Sequence, residues 1–228
     1  MNSLVQPVFR TVRVVLFDLD GTLIDSAPDM GAATNRMRTD RGLPALALES
    51  YRHRAGSGAR GMLDVAFGMA SDHPDYAASK EEFFLNYDQC LTERTRAIEG
   101  VEELLRTLVA RGLQWGVVTN KSSRYTVPLA RAFALLASAG TIISGDTTAH
   151  TKPHPAPLLE AARRLAVDPA DCLYVGDDER DVIAGRAAGM GTVAASYGYL
   201  GVSTDTKSWG ADAVIDSPLG LLQCLPKA

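Results

Sequence analysis

The sequence has little of what marks several protein classes. Only three cysteines occur in 228 residues, and they lie far apart at Cys90, Cys172 and Cys224. No CxxC or cysteine–histidine spacing accompanies them, which argues against a disulfide framework or a zinc site and favours a reducing compartment. No apolar run approaches the roughly 20 residues that a membrane helix needs. The opening letters MNSLVQPVFRTVR hold no long apolar stretch, so we expect no signal peptide and a cytoplasmic protein.

Neither sign of charge is in large excess. The formal net charge is -4 and no basic block accumulates, so neither nucleic acid nor a membrane is an expected partner. Apolar residues make up 46% and charged residues 22%, as in ordinary globular proteins. This length suits one domain, or a core domain with a smaller inserted one. The oligomeric state is not indicated by the composition.

Short apolar runs alternate with helical patterns along most of the chain. The predicted strands are residues 12–17, 113–119, 141–144, 172–176, 192–195 and 212–216, and the predicted helices between them are 101–110, 155–166 and 179–188. Buried strands that alternate with helices indicate an α/β fold, in which a parallel sheet is covered on both faces.

Residues 26–99 interrupt this alternation. They hold no convincing strand pattern, and helices are predicted at residues 30–41, 59–69 and 80–92. We interpret residues 26–99 as a helical cap domain inserted after the first strand, with residues 1–25 and 100–228 forming the core domain. The loop Gly56-Ser57-Gly58 of this insertion is expected to reach toward the site.

The most informative stretch is VVLFDLDGTL at residues 14–23. Residues i and i+2 of a strand point to the same side, so Asp18 and Asp20 should share one space beyond the strand end. Two such carboxylates repel and are costly to desolvate, which indicates a compensating divalent cation or a reacting phosphoryl group. An ionised Asp18 could attack phosphorus, and Asp20 could act as general acid and then general base.

A second acidic cluster follows another predicted strand, at Asp177 and Asp178, with Asp181 one helical turn later. Asp18 and Asp177, with a backbone carbonyl of Asp20, would suffice as protein ligands for Mg²⁺. Asp178 is predicted to lie just outside this set. Asp181 either orients a neighbouring lysine or a metal-bound water, or is simply a first-turn helix residue.

Other side chains suit an anion. Thr119 and Asn120 end a predicted strand, and Lys152 lies in a proline-stiffened loop, so all three are predicted to bind phosphate. Arg60, after the glycine loop of the insertion, could clamp a substrate carboxylate or phosphate, or could be a solvated helix residue. Lys121 is expected on the start of a solvated helix.

The motifs DLDGT, VVTN, KPHP and GDDERD, in that order, resemble the four signature motifs of the haloacid dehalogenase superfamily. The chain is similar to its phosphoglycolate phosphatase-like branch, while SGAR, WGVVTNKSSR and WGAD resemble N-acetylmuramic acid 6-phosphate phosphatases. The resemblance implies a Rossmann-like parallel core and a helical cap. It also implies Asp18 as nucleophile, Asp20 as acid/base, Thr119 and Lys152 on the phosphoryl group, and Mg²⁺ at Asp18, Asp20 and Asp177.

Two positions refine this resemblance. Phosphoglycolate phosphatases often carry serine where this chain has Asp178, and dehalogenases lack the aspartate at the place of Asp20. The leading hypothesis is therefore a Mg²⁺-dependent, phosphoglycolate phosphatase-like enzyme that hydrolyses a small phosphorylated metabolite through an aspartyl-phosphate. The alternatives are an N-acetylmuramic acid 6-phosphate phosphatase, a β-phosphoglucomutase-like phosphosugar mutase, and a non-catalytic protein that binds a phosphorylated metabolite.

Overall fold

The computed structural model describes residues 8–9, 11–201 and 204–226. The expected absence of a signal peptide concerns residues 1–13, most of which lie outside the described residues. Among the described residues, no helix combines the length and the apolar character that a membrane span requires.

A parallel sheet of six strands forms the centre of the fold, in the order β5-β4-β1-β6-β7-β8. This confirms the predicted α/β, Rossmann-like class. The strands of this sheet are β1 Val14–Phe17, β4 Gln114–Val118, β5 Ile142–Ile143, β6 Cys172–Gly176, β7 Gly191–Ala195 and β8 Ala213–Ile215. A separate antiparallel pair consists of β2 Ile24–Asp25 and β3 Arg96–Ala97.

Nine α-helices are described along the same ranges. They are α1 Ala27–Asp40, α2 Leu48–Arg52, α3 Gly58–Phe67, α4 Tyr76–Asp88, α5 Val101–Ala110, α6 Ser123–Ala132, α7 Ala156–Arg164, α8 Glu179–Ala187 and α9 Leu221–Cys224. Helices α1 to α4 pack on one another between β2 and β3. The division into a core and a cap domain stays a prediction.

Strand β1 is buried on both faces, as its unbroken apolar run predicts. Val15 and Phe17 pack into the larger core cluster, whereas Val14 and Leu16 pack into a second cluster on the opposite face. Phe17 is in register with Val117 of β4 and with Val175 of β6. The carboxyl ends of these three strands therefore lie side by side, which is where ligands bind in open α/β sheets.

The expectation that residues 26–99 contain no strand was wrong at one point. Arg96 and Ala97 pair with Asp25 and Ile24 and so bring the two ends of the helical segment together. Two residues are too few to show a period of two, so the pattern gave no sign of this pairing. Helix α2 was also not predicted, since its five residues are shorter than the window in which a helical period is visible.

Candidate active site

Asp18 is the first residue after β1, and a lysine lies directly against it. The Nζ atom of Lys152 is 2.9 Å from Oδ1 of Asp18, and it also donates to Oδ1 of Asp181 and to the hydroxyl of Tyr174, each at 2.7 Å. All three N–H groups of the ammonium thus have a partner. Burial raises the pKa of Asp18 to about 6, although the charge of Lys152 opposes this rise.

The charge on Lys152 is itself stabilised by this arrangement. Burial alone would lower the pKa of its ammonium group, but the charges of Asp18 and Asp181 outweigh burial and raise it. Lys152 is therefore a fixed positive charge beside Asp18, and phosphate binding by Lys152 stays a prediction.

Three carboxylates come together at this point. Asp18, Asp177 and Asp181 each offer an oxygen atom, and these atoms all lie within 4.8 Å of one another. Burial, followed by the charges of Asp18 and Asp181, raises the pKa of Asp177 well above its usual range. Among the described residues, the Lys152 ammonium is the one that touches the cluster, through Asp18 and Asp181. Excess negative charge on hard oxygen ligands fits a divalent cation.

Two glycines allow the backbone to pack closely around Asp177. A Cβ atom on Gly21, whose φ is +83°, would lie 2.2 Å from Oδ2 of Asp177, and one on Gly198 would lie 2.2 Å from its Cβ. The carboxylate accepts hydrogen bonds from the Thr22 hydroxyl at 2.9 Å and from the Tyr199 N–H at 2.7 Å. Asp177 is therefore held in one orientation by its surroundings.

Asp20 lies in the same space but its carboxylate is not part of the cluster of three. It accepts a hydrogen bond from the Ser26 hydroxyl and faces Nζ of Lys121, at 3.1 and 3.2 Å from its two oxygens. A contribution of the Asp20 backbone carbonyl to a metal site stays a prediction.

The placement of Lys121 on a solvated helix was wrong. Its side chain is only 7% exposed, and its ammonium donates to the Tyr87 hydroxyl at 3.0 Å as well as to Asp20. Burial would lower the pKa of Lys121, but Asp20 and the Tyr87 hydroxyl raise it above its usual range. Lys121 follows Thr119 at the same i, i+2 spacing that relates Asp20 to Asp18, and this spacing was the available sequence signal.

Thr119 and Asn120 lie at the end of β4 and both line the same cavity as the aspartates. The Asn120 amide donates to the carbonyl of Lys152 and accepts from its N–H, each at 2.9 Å. The Asn120 side chain therefore holds the Lys152 loop in place. Phosphate binding by Thr119 and Asn120 stays a prediction.

The first turn of α8 places three further charged side chains. The Asp178 carboxylate caps the helix by accepting from the N–H of Arg180, and the Asp181 carboxylate accepts from the N–H of Asp178. The Asp181 carboxylate also accepts a hydrogen bond from Lys152 at 2.7 Å, and whether Asp181 orients a metal-bound water stays a prediction. Burial favours a higher pKa for Asp178, but hydrogen bonds from Arg180 lower it.

Arg180 was not among the predicted site residues. Its Nη2 atom donates to the carbonyl of Gly56 at 3.0 Å, and its Nε atom lies 2.7 Å from Asp178. Arg60 is exposed on α3, forms no ion pair with a described residue, and is not among the residues that line the cavity. The guanidinium at this cavity is therefore that of Arg180.

These groups surround a cavity of about 240 Å³. Its lining includes the polar residues Asp18, Asp20, Thr119, Asn120, Lys121, Lys152, Asp178, Arg180 and Asp181, residues 56–59 at the start of α3, and the aromatic residues Phe83, Phe84, Tyr87 and Tyr125. Carboxylates and cations thus line one cavity, with the acidic cluster of Asp18, Asp177 and Asp181 beside it.

Comparison with known proteins defines the class. Residues 15–195 match the family described as haloacid dehalogenase-like hydrolase, and the chain belongs to this family. It is 45% identical over 212 residues to a phosphoglycolate phosphatase of Xanthomonas campestris pv. campestris (strain 8004), covering 92% of this chain and 94% of that one.

A second relative has a different name. The N-acetylmuramic acid 6-phosphate phosphatase of Pseudomonas aeruginosa is 38% identical over 217 residues, covering 95% of this chain and 96% of that one. A crystal structure from Haemophilus somnus 129PT, described as a predicted phosphoglycolate phosphatase, is similar with a TM-score of 0.80 and 28% identity. The match covers 93% of this chain and 97% of that one. The prediction of a hydrolase of the phosphatase class is confirmed.

Proposed function

We propose that this chain is a Mg²⁺-dependent phosphatase that hydrolyses a small phosphomonoester through an aspartyl-phosphate on Asp18. The observation that carries the proposal is the contact of Lys152 with both Asp18 and Asp181, next to Asp177. The carboxylates of Asp18 and Asp177, with the backbone carbonyl of Asp20, would hold the ion. When bound, Mg²⁺ offsets the charge of the carboxylates and of the phosphoryl oxygens.

The residues then divide the chemistry between them. An oxygen of Asp18 forms a bond to phosphorus while the bond from phosphorus to the leaving oxygen breaks, and Asp20, protonated at that step, gives its proton to the leaving oxygen. Asp20 next takes a proton from a water molecule as the water oxygen bonds to phosphorus and the bond from phosphorus to the Asp18 oxygen breaks, which releases inorganic phosphate and restores the Asp18 carboxylate. Lys152 and Thr119 orient the phosphoryl oxygens throughout.

The helical segment 26–99 would act as a cap over this chemistry. Its residues 56–59 line the cavity, and the carbonyl of Gly56 is held by Arg180 of α8. Closure of such a cap excludes water and selects substrates that fit beneath it.

Phosphoglycolate and N-acetylmuramic acid 6-phosphate are the two candidate substrates, since the relatives bear both names. Phosphoglycolate is the substrate that the sequence motifs favour. N-acetylmuramic acid 6-phosphate is favoured by the size of the cavity and by the aromatic part of its lining.

The test is release of inorganic phosphate from p-nitrophenyl phosphate and from both candidates, with Mg²⁺ and with a chelator. We expect Asp18→Asn to abolish release, while Asp72→Asn, at an exposed turn, keeps it as the matched control. Equal activity of Asp18→Asn and the unchanged protein would contradict the mechanism. An isomerised sugar phosphate without phosphate release would instead indicate the mutase.

A further inference from the structure

Part of the cavity wall is an aromatic cluster, which we define as Phe83, Phe84, Tyr87 and Tyr125. The first three come from α4 and the last from α6. The rings contact one another, with centroid distances of 5.7 Å between Phe84 and Tyr125 and 5.1 Å between Tyr87 and Tyr125. Phe84 is half-buried and the other three are buried, and the cationic groups of Lys80 and Arg124 lie 5.6 and 5.7 Å from the centroid of the Phe84 ring. All four aromatic residues line the cavity, so aromatic rings form this part of its wall.

Lys121 connects this cluster to the proposed acid/base. Its Nζ atom lies 3.1 Å from Asp20, 3.0 Å from the Tyr87 hydroxyl and 4.9 Å from the centroid of the Tyr87 ring. On the proposed function, Asp20 must touch the leaving oxygen. Atoms of the substrate beyond that oxygen therefore lie toward Lys121 and Tyr87, so the aromatic cluster belongs to the leaving-group end of the cavity.

The Tyr125 hydroxyl is a second polar group at this end. It is buried and has no hydrogen-bond partner among the residues that the structure describes. Buried hydroxyl groups in native proteins nearly always have a partner, so one that lacks it beside a ligand cavity indicates a group supplied on binding.

A sugar ring has the matching chemistry, because it carries C–H groups on its faces and hydroxyl groups around its edge. A leaving group of two carbons would reach Lys121 but would leave the aromatic surface and most of a 240 Å³ cavity to water. Apolar surface left wet contributes nothing to binding.

We propose that Phe84, Tyr87 and Tyr125, next to Lys121, form a subsite for the ring of a phosphorylated sugar and so select sugar phosphates over two-carbon phosphoesters. This assignment rests on the proposed phosphatase function and adds the substrate class and the residues that determine it.

The experiment compares kcat/KM for N-acetylmuramic acid 6-phosphate and for 2-phosphoglycolate. We expect the unchanged protein to favour the sugar phosphate by at least about tenfold, and Phe84→Ala to reduce that ratio by roughly tenfold, as loss of an apolar pocket contact does. Leu85→Ala is the matched control, since Leu85 is the next residue of α4 and is 53% exposed. Its ratio should equal that of the unchanged protein.

Two milder variants serve for the same comparison if Phe84→Ala does not fold. Phe84→Leu retains an apolar side chain without an aromatic face, and Tyr125→Phe removes only the buried hydroxyl; both should lower the ratio. A preference of the unchanged protein for 2-phosphoglycolate would overturn the subsite, as would equal losses on both substrates in every variant. No hydrolysis of either compound or of p-nitrophenyl phosphate would instead overturn the phosphatase function itself.

Discussion

The ammonium group of Lys121 lies 3.1 Å from the carboxylate of Asp20, and the two side chains are 7% and 15% exposed. The Tyr87 hydroxyl accepts a hydrogen bond from the same ammonium at 3.0 Å. The residue proposed to move protons is thus paired with a lysine that also contacts helix α4. This relationship links the aspartate motif of β1 to the helical segment through a side chain from the end of β4.

Replacing Lys121 should therefore reduce activity on every phosphomonoester. Lys121→Met leaves Asp20 without its charged partner, and we expect kcat for p-nitrophenyl phosphate to fall roughly ten- to hundredfold, part of what general acid–base catalysis supplies. Losing one partner of a buried pair should also lower the free energy of unfolding by about 3 kcal/mol. Steady-state kinetics and urea unfolding measure the two effects. Lys207→Met, at an exposed lysine, is the control, and unchanged kcat in Lys121→Met would refute the pairing role.

The acidic cluster predicts how Mg²⁺ affects stability at different pH values. Burial raises the pKa of Asp18 from 3.8 to about 6, and burial also raises the pKa of Asp177 well above its usual range. At a pH between the ordinary pKa of an aspartate and the raised pKa of these two carboxyl groups, the folded protein holds protons that the unfolded chain has lost. Without metal, the free energy of unfolding should therefore fall as pH rises through this window.

Added Mg²⁺ should restore that stability where the carboxylates are ionised. At a roughly 100-fold excess over Kd the gain is about 2.7 kcal/mol, or an increase in Tm of roughly 5 to 10 °C near pH 7.5. Near pH 5, protons compete with the ion and the increase should be smaller. Thermal unfolding with Mg²⁺ and with a chelator at both pH values measures this; an equal increase at both would argue against binding at these carboxylates.

Close packing against Asp177 should make Gly198 intolerant of a side chain. In Gly198→Ala the added Cβ would lie 2.2 Å from that of Asp177, so the carboxylate must shift. We expect Mg²⁺ affinity to fall roughly ten- to hundredfold, the range seen when groups that orient a metal ligand are changed. Gly220→Ala is the control because its Cβ would meet ordinary contacts of 3.4 Å or more. Titration calorimetry compares the two, and equal Kd values would show that Asp177 does not hold the ion.

Arg180 should control how well residues 56–59 close over the cavity. Arg180→Gln loses the hydrogen bond to the Gly56 carbonyl and the ion pair with Asp178. We expect KM to rise by roughly tenfold, the effect of about 1.4 kcal/mol, with a smaller change in kcat. Arg131→Gln removes an exposed arginine and should change neither constant. A fall in kcat at unchanged KM would instead place Arg180 in the chemical step.

Much of the fold was predictable because strong local patterns produced it. Helix α5 was predicted over the residues that it occupies, since its apolar residues repeat at helical spacing and Gly112 follows its end. Strand β6 was likewise predicted over its full length. The pair β2–β3 and helix α2 escaped prediction because their few residues are held by contacts distant in sequence, which a local pattern does not show.

The site residues also divide into those that the sequence predicted and those that it did not. Asp18, Asp177 and Lys152 could be proposed from motifs, and the structure brings them together with Asp181. Lys121 and Arg180 could not be distinguished from surface residues by type, because lysine and arginine are mostly exposed. The spacing of Lys121 from Thr119 was a weak signal, and the structure shows the partners that the two side chains meet, Asp20 and the Gly56 carbonyl.

The sequence by itself determined the alternation of sheet strands with helices, the positions of the aspartates at strand ends and the family to which the chain belongs. These depend on periodicity and on short motifs, which are properties of neighbouring residues. Only the tertiary structure decided that Lys121 is buried against Asp20 and that Arg180, rather than Arg60, lines the cavity. It also decided that aromatic side chains from α4 and α6 meet. Such contacts depend on how distant segments pack. A buried charge is stabilised only when a partner of opposite charge lies within a few ångströms, and packing decides which partner that is.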